Sequence, residues 1–222
     1  MAAYFAFYHP DEKTQLVTAV SESGQAYAYM AISRTNIDLF RPFVTMRLPI
    51  HNMAESINFL YTHLQPGTAV FLNAPANYAP LLRAIFDVSI EEHLWLLELD
   101  PQRYEPIINV LVARSTSPNG YPRFIIRGTG PYQDELLASA ELNWQSPYFA
   151  EIAVHTHPSF QRRGYGRSVV SAMVGYLLEN GRRPLYAVAE GNERSFKLAD
   201  HVGFVDKGVR QIFIQGTLRQ RP

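Results

Sequence analysis

There is no cysteine among the 222 residues. Disulfides, a thiol nucleophile and cysteine-ligated zinc are therefore excluded together. No apolar run reaches membrane-spanning length, and the start, Met1-Ala2-Ala3-Tyr4-Phe5, has no basic stretch ahead of an apolar one. The expectation is a soluble cytoplasmic protein with no membrane partner. An excess of one charge is also lacking. Twenty Lys+Arg balance twenty Asp+Glu, which argues against a dedicated nucleic-acid binder. Low-complexity segments and obvious sequence repeats are absent too. What is present is material for a core: 47% hydrophobic against 18% charged residues, a balance that excludes disorder.

The charge is unevenly spread. Residues 1–104 hold six Lys+Arg against ten Asp+Glu, and residues 105–222 hold fourteen against ten. Asp100-Pro101 and Glu105-Pro106 mark the best boundary between them, so two domains are expected, 1–104 and 105–222.

Tyr4–Tyr8, Leu16–Ser21, Ala26–Ile32 and Phe43–Leu48 read as strands from their aromatic and β-branched content, with Ser23-Gly24 as a turn. Asn52 with Glu55 looks like a capping box. Met53, Ile57, Leu60, Tyr61 and Leu64 follow it at helical spacing, and Pro66-Gly67 stops that helix. A strand at Ala69–Leu72, a helix from Asn77 to Phe86 and a strand at Leu94–Leu99 complete the first half. In the second, Ile108–Arg114 and Arg123–Arg127 flank the hairpin turn Ser117-Pro118-Asn119-Gly120. Strands at Glu135–Leu142 and Tyr148–Thr156 continue the sheet. A helix over Gly166–Asn180 has Val169, Val170, Met173, Val174, Leu177 and Leu178 on one face and Gly181 past its end. Leu185–Ala189 is a strand, Glu193–Val202 a helix ended by Gly203, and Phe204–Lys207 and Gln211–Gln215 are strands. The fold class is α+β.

The most informative stretch is Gln161-Arg162-Arg163-Gly164-Tyr165-Gly166. It puts two glycines at a strand-to-helix junction, where exposed amides and the positive end of the helix dipole suit a phosphate. Arg162, Arg163 and Arg167 surround the helix start. Positive charge is unfavourable there unless an anion is present, although a solvated helix start is the plain alternative. Downstream stand Asn192-x-x-Ser195 and Gly203-Phe204, separated from the first motif by one helix and one strand.

Those three features in order, led by Val154-His155-Thr156-His157-Pro158, resemble the GNAT superfamily of acyl-CoA-dependent N-acetyltransferases over about residues 108–215. The run Phe149-Ala150-Glu151-Ile152 before Arg163-Gly164-Tyr165-Gly166 is similar to the histone acetyltransferase branch. The resemblance implies a GNAT-type mixed, mainly antiparallel sheet flanked by helices. A smaller α/β N-terminal domain would precede it, readable as a degenerate GNAT-like half that covers the acceptor side.

The resemblance also implies acetyl-CoA as acyl donor and a primary amine as acceptor, joined directly in a ternary complex. Val154 and Thr156 would offer main-chain groups to the pantetheine arm. The amides from Arg162 to Gly166, with Gln161, Tyr165 and Arg167 beside them, would hold the pyrophosphate. Asn192 and Ser195 would bond the cofactor further along; read without the motif, they are an N-cap and a helix-surface serine. Glu151 is the candidate general base and Thr156 the candidate for polarising the thioester. A strand-surface carboxylate is the alternative for Glu151.

There is one departure. The family often carries a tyrosine seven residues after the asparagine as general acid, and here that residue is Ala199. The acid is unassigned among Tyr186, Tyr165, His155 and His157. Ala199 also lends support to the rival reading, a catalytically silent acyl-CoA-binding or regulatory module. His155 and His157 share a strand face with Glu151 but lack a further ligand motif, so no metal is expected. In the acidic half, Glu91, Glu92 and Asp100 are candidates for attracting a cationic amine.

Overall fold

Residues 1–35, 38–49 and 52–221 are described by a computed structural model. The elements follow the order α1 (Ala2–Phe7), β1 (Thr14–Val20), β2 (Ala26–Ser33), β3 (Phe43–Arg47), α2 (Met53–His63), β4 (Ala69–Pro75), α3 (Ala79–Ile85) and β5 (Phe86–Leu99). After them come β6 (Val112–Thr116), β7 (Pro122–Arg127), β8 (Leu136–Gln145), β9 (Phe149–Thr156), α4 (Tyr165–Glu179), β10 (Arg183–Ala189), α5 (Glu193–Val202) and β11 (Phe204–Leu218). The chain divides into two compact units, Met1–Leu94 with Arg210–Pro222, and Trp95–Val209. The divisions fall inside β5 and β11, so each of these long strands gives one part to each unit.

In the first unit the strand order is β1-β2-β3-β4-β11-β5. β1, β2 and β3 pair antiparallel, β3 and β4 pair parallel, and β4 pairs antiparallel with the end of β11. The parallel pair requires a crossover, which α2 supplies. Asn52 caps α2 as expected, its Oδ1 accepting from Glu55 N at 3.1 Å. One core lies on the helix side, with Val44, Met46, Leu60, Leu72, Leu82 and Ile212 among its buried members.

The second unit runs β11-β5-β10-β9-β8-β7-β6. β6 to β9 pair antiparallel in sequence order, and β9 and β10 pair parallel. α4 crosses between those two strands. Val169, Val170, Met173, Val174 and Leu177 all lie in the core beside Ala150 and Ile152 of β9, as the apolar spacing of α4 predicts. The hairpin turn is present, with Gly120 N donating to Ser117 O at 2.9 Å. The sheet is mixed and mainly antiparallel, and helices flank it in each unit.

Three local readings change. Tyr4–Tyr8 is not a strand. α1 occupies it, and the packing of Phe5 on Phe43, with ring centroids 5.0 Å apart, overrides the strand preference of aromatics. Residues 108–111 are not a strand either, because α4 takes up the polar groups of this segment. Ser171 Oγ accepts from Ile107 N at 3.0 Å, and Ser168 Oγ from Asn109 Nδ2 at 3.1 Å. Finally, the two short strands expected at the C-terminus are one, β11.

Candidate functional site

β9 and β10 are in register only from Phe149↔Arg183 to Ile152↔Tyr186. Beyond that pair both strands continue, β9 to Thr156 and β10 to Ala189. The two parallel strands thus part after four residues. On its other edge β9 stays paired with β8 as far as Ala138↔Thr156, and His157 N donates to Leu137 O at 2.9 Å. Main-chain groups in an antiparallel ladder alternate between the two edges. His157 and His155 therefore face β8, and the N–H and C=O groups of Val154 and Thr156 face the side that β10 has left.

At the end of β9 a short 3-10 turn, Pro158–Phe160, leads into the glycine loop. His157 Nδ1 accepts from Ser159 N at 3.2 Å, which makes His157 the cap of that turn. Arg162 has φ 63° and Gly164, the N-cap of α4, has φ 78°. Two left-handed residues two apart turn successive amides towards one side, and glycine adopts this conformation without a Cβ penalty. No side chain caps α4 and its first turn holds no acidic residue. Gly166 is buried, and a Cβ there would stand 2.9 Å from Thr156 Oγ1 and 3.0 Å from Leu198 Cδ1. Here glycine brings α4 close to β9 at the mouth of the parted strands.

Gln161, Arg162, Arg163, Gly164 and Arg167 are exposed and Tyr165 is half-buried. Arg163 lies over the Phe160 ring at 5.1 Å. The start of α5 approaches the same loop, since Arg194 donates to Gln161 Oε1 at 2.9 Å. Asn192 is the N-cap of α5, with its Oδ1 3.1 Å from Ser195 N. That role occupies one atom of Asn192 and leaves its amide nitrogen for other partners. Ser195 Oγ is 3.0 Å from the Tyr186 hydroxyl, and burial pushes that hydroxyl's pKa up against the smaller opposing pull of Ser195.

Glu151 is 2% exposed, far from a surface carboxylate. A bulge in β8 explains how it is held. The register shifts between Leu142↔Ile152 and Trp144↔Glu151, which sets both Asn143 and Trp144 against Glu151. Asn143 Nδ2 donates to Oε1 at 2.8 Å and Trp144 Nε1 to Oε2 at 2.9 Å. Neither donor carries charge. Asn143 is exposed, so one carboxylate oxygen has solvent close by. The bulge residues were not recognisable in the sequence; only the adjacent polar and aromatic residues Asn143 and Trp144 hint at them.

Other candidates have settings of their own. His155 is exposed on the strand face of Glu151. Glu91 is engaged by Arg83 and by His93 Nε2, the latter at 3.0 Å, and the Arg83 guanidinium draws its carboxyl down to about 2. Asp100 Oδ1 accepts from Gln102 N at 3.0 Å. Ala199 is fully buried in the second core.

The first unit repeats this plan with its openings closed. β3 and β4 are in register from Phe43↔Phe71 to Thr45↔Asn73 and then part. Counting from the first pair in each unit, Leu48 corresponds to Val154. The Tyr78 hydroxyl accepts from Leu48 N at 2.9 Å and donates to Leu48 O at 3.1 Å. The first turn of α2 carries its own side-chain cap in Asn52 and an acidic residue in Glu55.

Residues 130–212 match the model of the FR47-like protein family. This segment is similar to FR47-like proteins, and the fold is that of GNAT proteins. Solved structures with the same fold cover nearly the whole chain at low identity. The chain is similar to the GCN5-related N-acetyltransferase from Kribbella flavida at a TM-score of 0.62, with 14% identity over 92% of this chain and 90% of that one. It is similar to the GCN5-related N-acetyltransferase from Sphaerobacter thermophilus at 0.62, with 13% identity over 97% and 84%. A tandem GNAT protein from the clavulanic acid biosynthesis pathway matches at 0.59, with 11% identity over 99% and 88%. Comparison with curated protein sequences found no match.

Proposed function

We propose that the GNAT domain binds acetyl-CoA and transfers its acetyl group to a primary amine by direct attack in a ternary complex. One observation carries the reading: the exposed edge of Val154 and Thr156 leads straight to a helix start built for an anion. The extended pantetheine arm would complete the ladder of β9, as a strand does. The pyrophosphate would lie on the amides from Arg162 to Gly166, where helix dipole and N–H donors add, with Gln161, Tyr165, Arg163 and Arg167 around it. Asn192 and Ser195, at the start of α5, would meet the cofactor further along. Glu151 would take the proton of the attacking amine through its Oε1, and the amide of Thr156 or a neighbour would polarise the thioester carbonyl.

The repeated plan of the first unit supports reading it as a degenerate GNAT-like half. Its parted strands are filled by Tyr78 and its helix start is capped by Asn52, so the chain binds one acetyl-CoA. Calorimetry with acetyl-CoA and with CoA tests this: one site per chain is expected, and no binding to folded protein would refute the assignment. The silent-module reading draws on Ala199. Thiol release from acetyl-CoA with a panel of amino acids, polyamines and short peptides separates the two, since binding without turnover for any amine favours the rival.

A further inference from the structure

Resting on the acetyl-transfer reading, we propose that Tyr186 is the proton donor to the departing CoA thiolate and that Ser195 returns the proton to it. The position that usually supplies a tyrosine is Ala199, whose methyl group lies in the core and carries no proton. Tyr186 stands elsewhere, on β10, as the last residue in register with β9. It is thus at the vertex from which the two strands part.

The vertex is where the sulfur arrives. With the pyrophosphate at the start of α4, the arm runs back along Thr156 and Val154 towards Ile152. The four steps of strand between Thr156 and Ile152 span about 13 Å, a run that an extended pantetheine arm with its two amides fills. The other proton-bearing candidates lie away from this point. Tyr165 is in the first turn of α4, at the phosphate end. His157 caps the turn beyond the strand, and His155 is turned to the other sheet face by the two-residue period.

The Tyr186 ring packs on Phe204 with centroids 5.4 Å apart, while its hydroxyl is aimed at Ser195 Oγ, 3.0 Å away. Ser195 is half-buried in the first turn of α5, so a proton lost from Tyr186 can be replaced from solvent through it. Burial keeps the phenol protonated at neutral pH, the state an acid requires. In the step, the amine nitrogen forms a bond to the carbonyl carbon. The C–S bond breaks with its pair on sulfur, and the Tyr186 proton moves to sulfur. The proton shed by nitrogen leaves through the base, and solvent restores Tyr186 through the Ser195 hydroxyl.

The decisive test needs no acceptor. CoA bound to the protein is titrated while the ultraviolet absorbance of its thiolate is followed, in wild type, Tyr186→Phe and Ser195→Ala. A phenol donating to sulfur stabilises the thiolate, so the bound thiol should titrate about one pH unit higher in Tyr186→Phe, with CoA affinity within about threefold. Equal titration in wild type and Tyr186→Phe overturns the proposal. With any amine that turns over, kcat should fall at least about tenfold at unchanged KM for acetyl-CoA, and unchanged kcat also overturns it. Failure of wild type to bind CoA is a different result and refutes the underlying assignment.

Discussion

Replacing Glu151 by glutamine and by alanine separates a catalytic carboxylate from a structural one. In the folded protein its two oxygens take one hydrogen bond each, from Asn143 Nδ2 and Trp144 Nε1. Glutamine keeps the shape and one acceptor. Placed with its oxygen towards Trp144, it presents NH2 to Asn143, and the exposed Asn143 amide can turn to offer its oxygen instead. Glu151→Gln should therefore cost no more than about 1 kcal/mol, the net worth of one hydrogen bond. Alanine withdraws the acceptor from Trp144 Nε1, inside the protein, and opens a cavity. About 1–3 kcal/mol is expected for the lost partner alone.

Activity should ignore that difference. Neither variant has a group to accept a proton, so both should lose about 10²- to 10⁴-fold in kcat with KM for acetyl-CoA unchanged. Urea unfolding gives the stabilities and thiol release gives the rates. Glu151→Gln with wild-type kcat would refute the base assignment and leave Glu151 as a bolt for the bulge. Equal destabilisation in both variants would refute the hydrogen-bond argument.

Gly166→Ala should destabilise by about 1–3 kcal/mol through overpacking, because its Cβ would stand 2.9 Å from Thr156 Oγ1 and 3.0 Å from Leu198 Cδ1; a melting temperature equal to wild type would contradict the packing. Tyr78→Phe leaves the Leu48 N–H and C=O without their partner, a loss on the order of 2 kcal/mol, and calorimetry should still count one acetyl-CoA per chain. His9 sits in the first unit with Nδ1 2.6 Å from Thr14 Oγ1, and burial first, then Lys13, lowers its pKa below 6.5. The unfolded chain therefore takes up this proton first as pH falls. The contribution of His9 is complete above pH 6.5 and is lost as pH drops from there through the folded value. His9→Asn should flatten the fall in melting temperature between pH 7 and 5, and an unaltered slope would exclude His9 as a cause. Glu91 acts at lower pH: its carboxyl is held at about 2, so its stabilisation is present above the ordinary 4.5 and disappears between 4.5 and 2.

How much of this was readable before folding depends on how local each cause is. α4 was legible because its apolar face repeats at helical spacing and a glycine stands at each end. The glycine loop was legible as a strand-to-helix junction because its signal, two glycines between an apolar run and an amphipathic helix, is local. Glu151 was legible as a residue, with a strand-surface carboxylate as the alternative, but what holds it was not: its two donors are set by a bulge in β8, and a single extra residue in a ladder leaves no pattern along the chain. The strand expected at Tyr4–Tyr8 failed because Phe43, far away in sequence, decides what Phe5 does. Tyr186 was one of four candidate acids in the sequence, and only the fold sets its hydroxyl 3.0 Å from Ser195 Oγ.

The longest-range feature was the least legible, and it bears most on function. The first series runs three antiparallel strands and the second four, and each continues with a crossover helix, a parallel strand, a second helix and a final strand. β5 is the final strand of the first series, yet β10 takes it as a neighbour; β11 closes the second series, yet β4 pairs with its end. Strand composition cannot report such an exchange, since any apolar strand satisfies any open edge. What differs between the two series is chemistry at matching places. Leu48 meets the Tyr78 hydroxyl where Val154 lies past the last pair of β9 with β10, and Asn52 caps α2 where Gly164 leaves α4 without a side-chain cap. Sheet topology alone would allow a cofactor in each unit. These two local differences are the ground for proposing one, and the uncapped helix start lies in the half of the chain with the net positive charge.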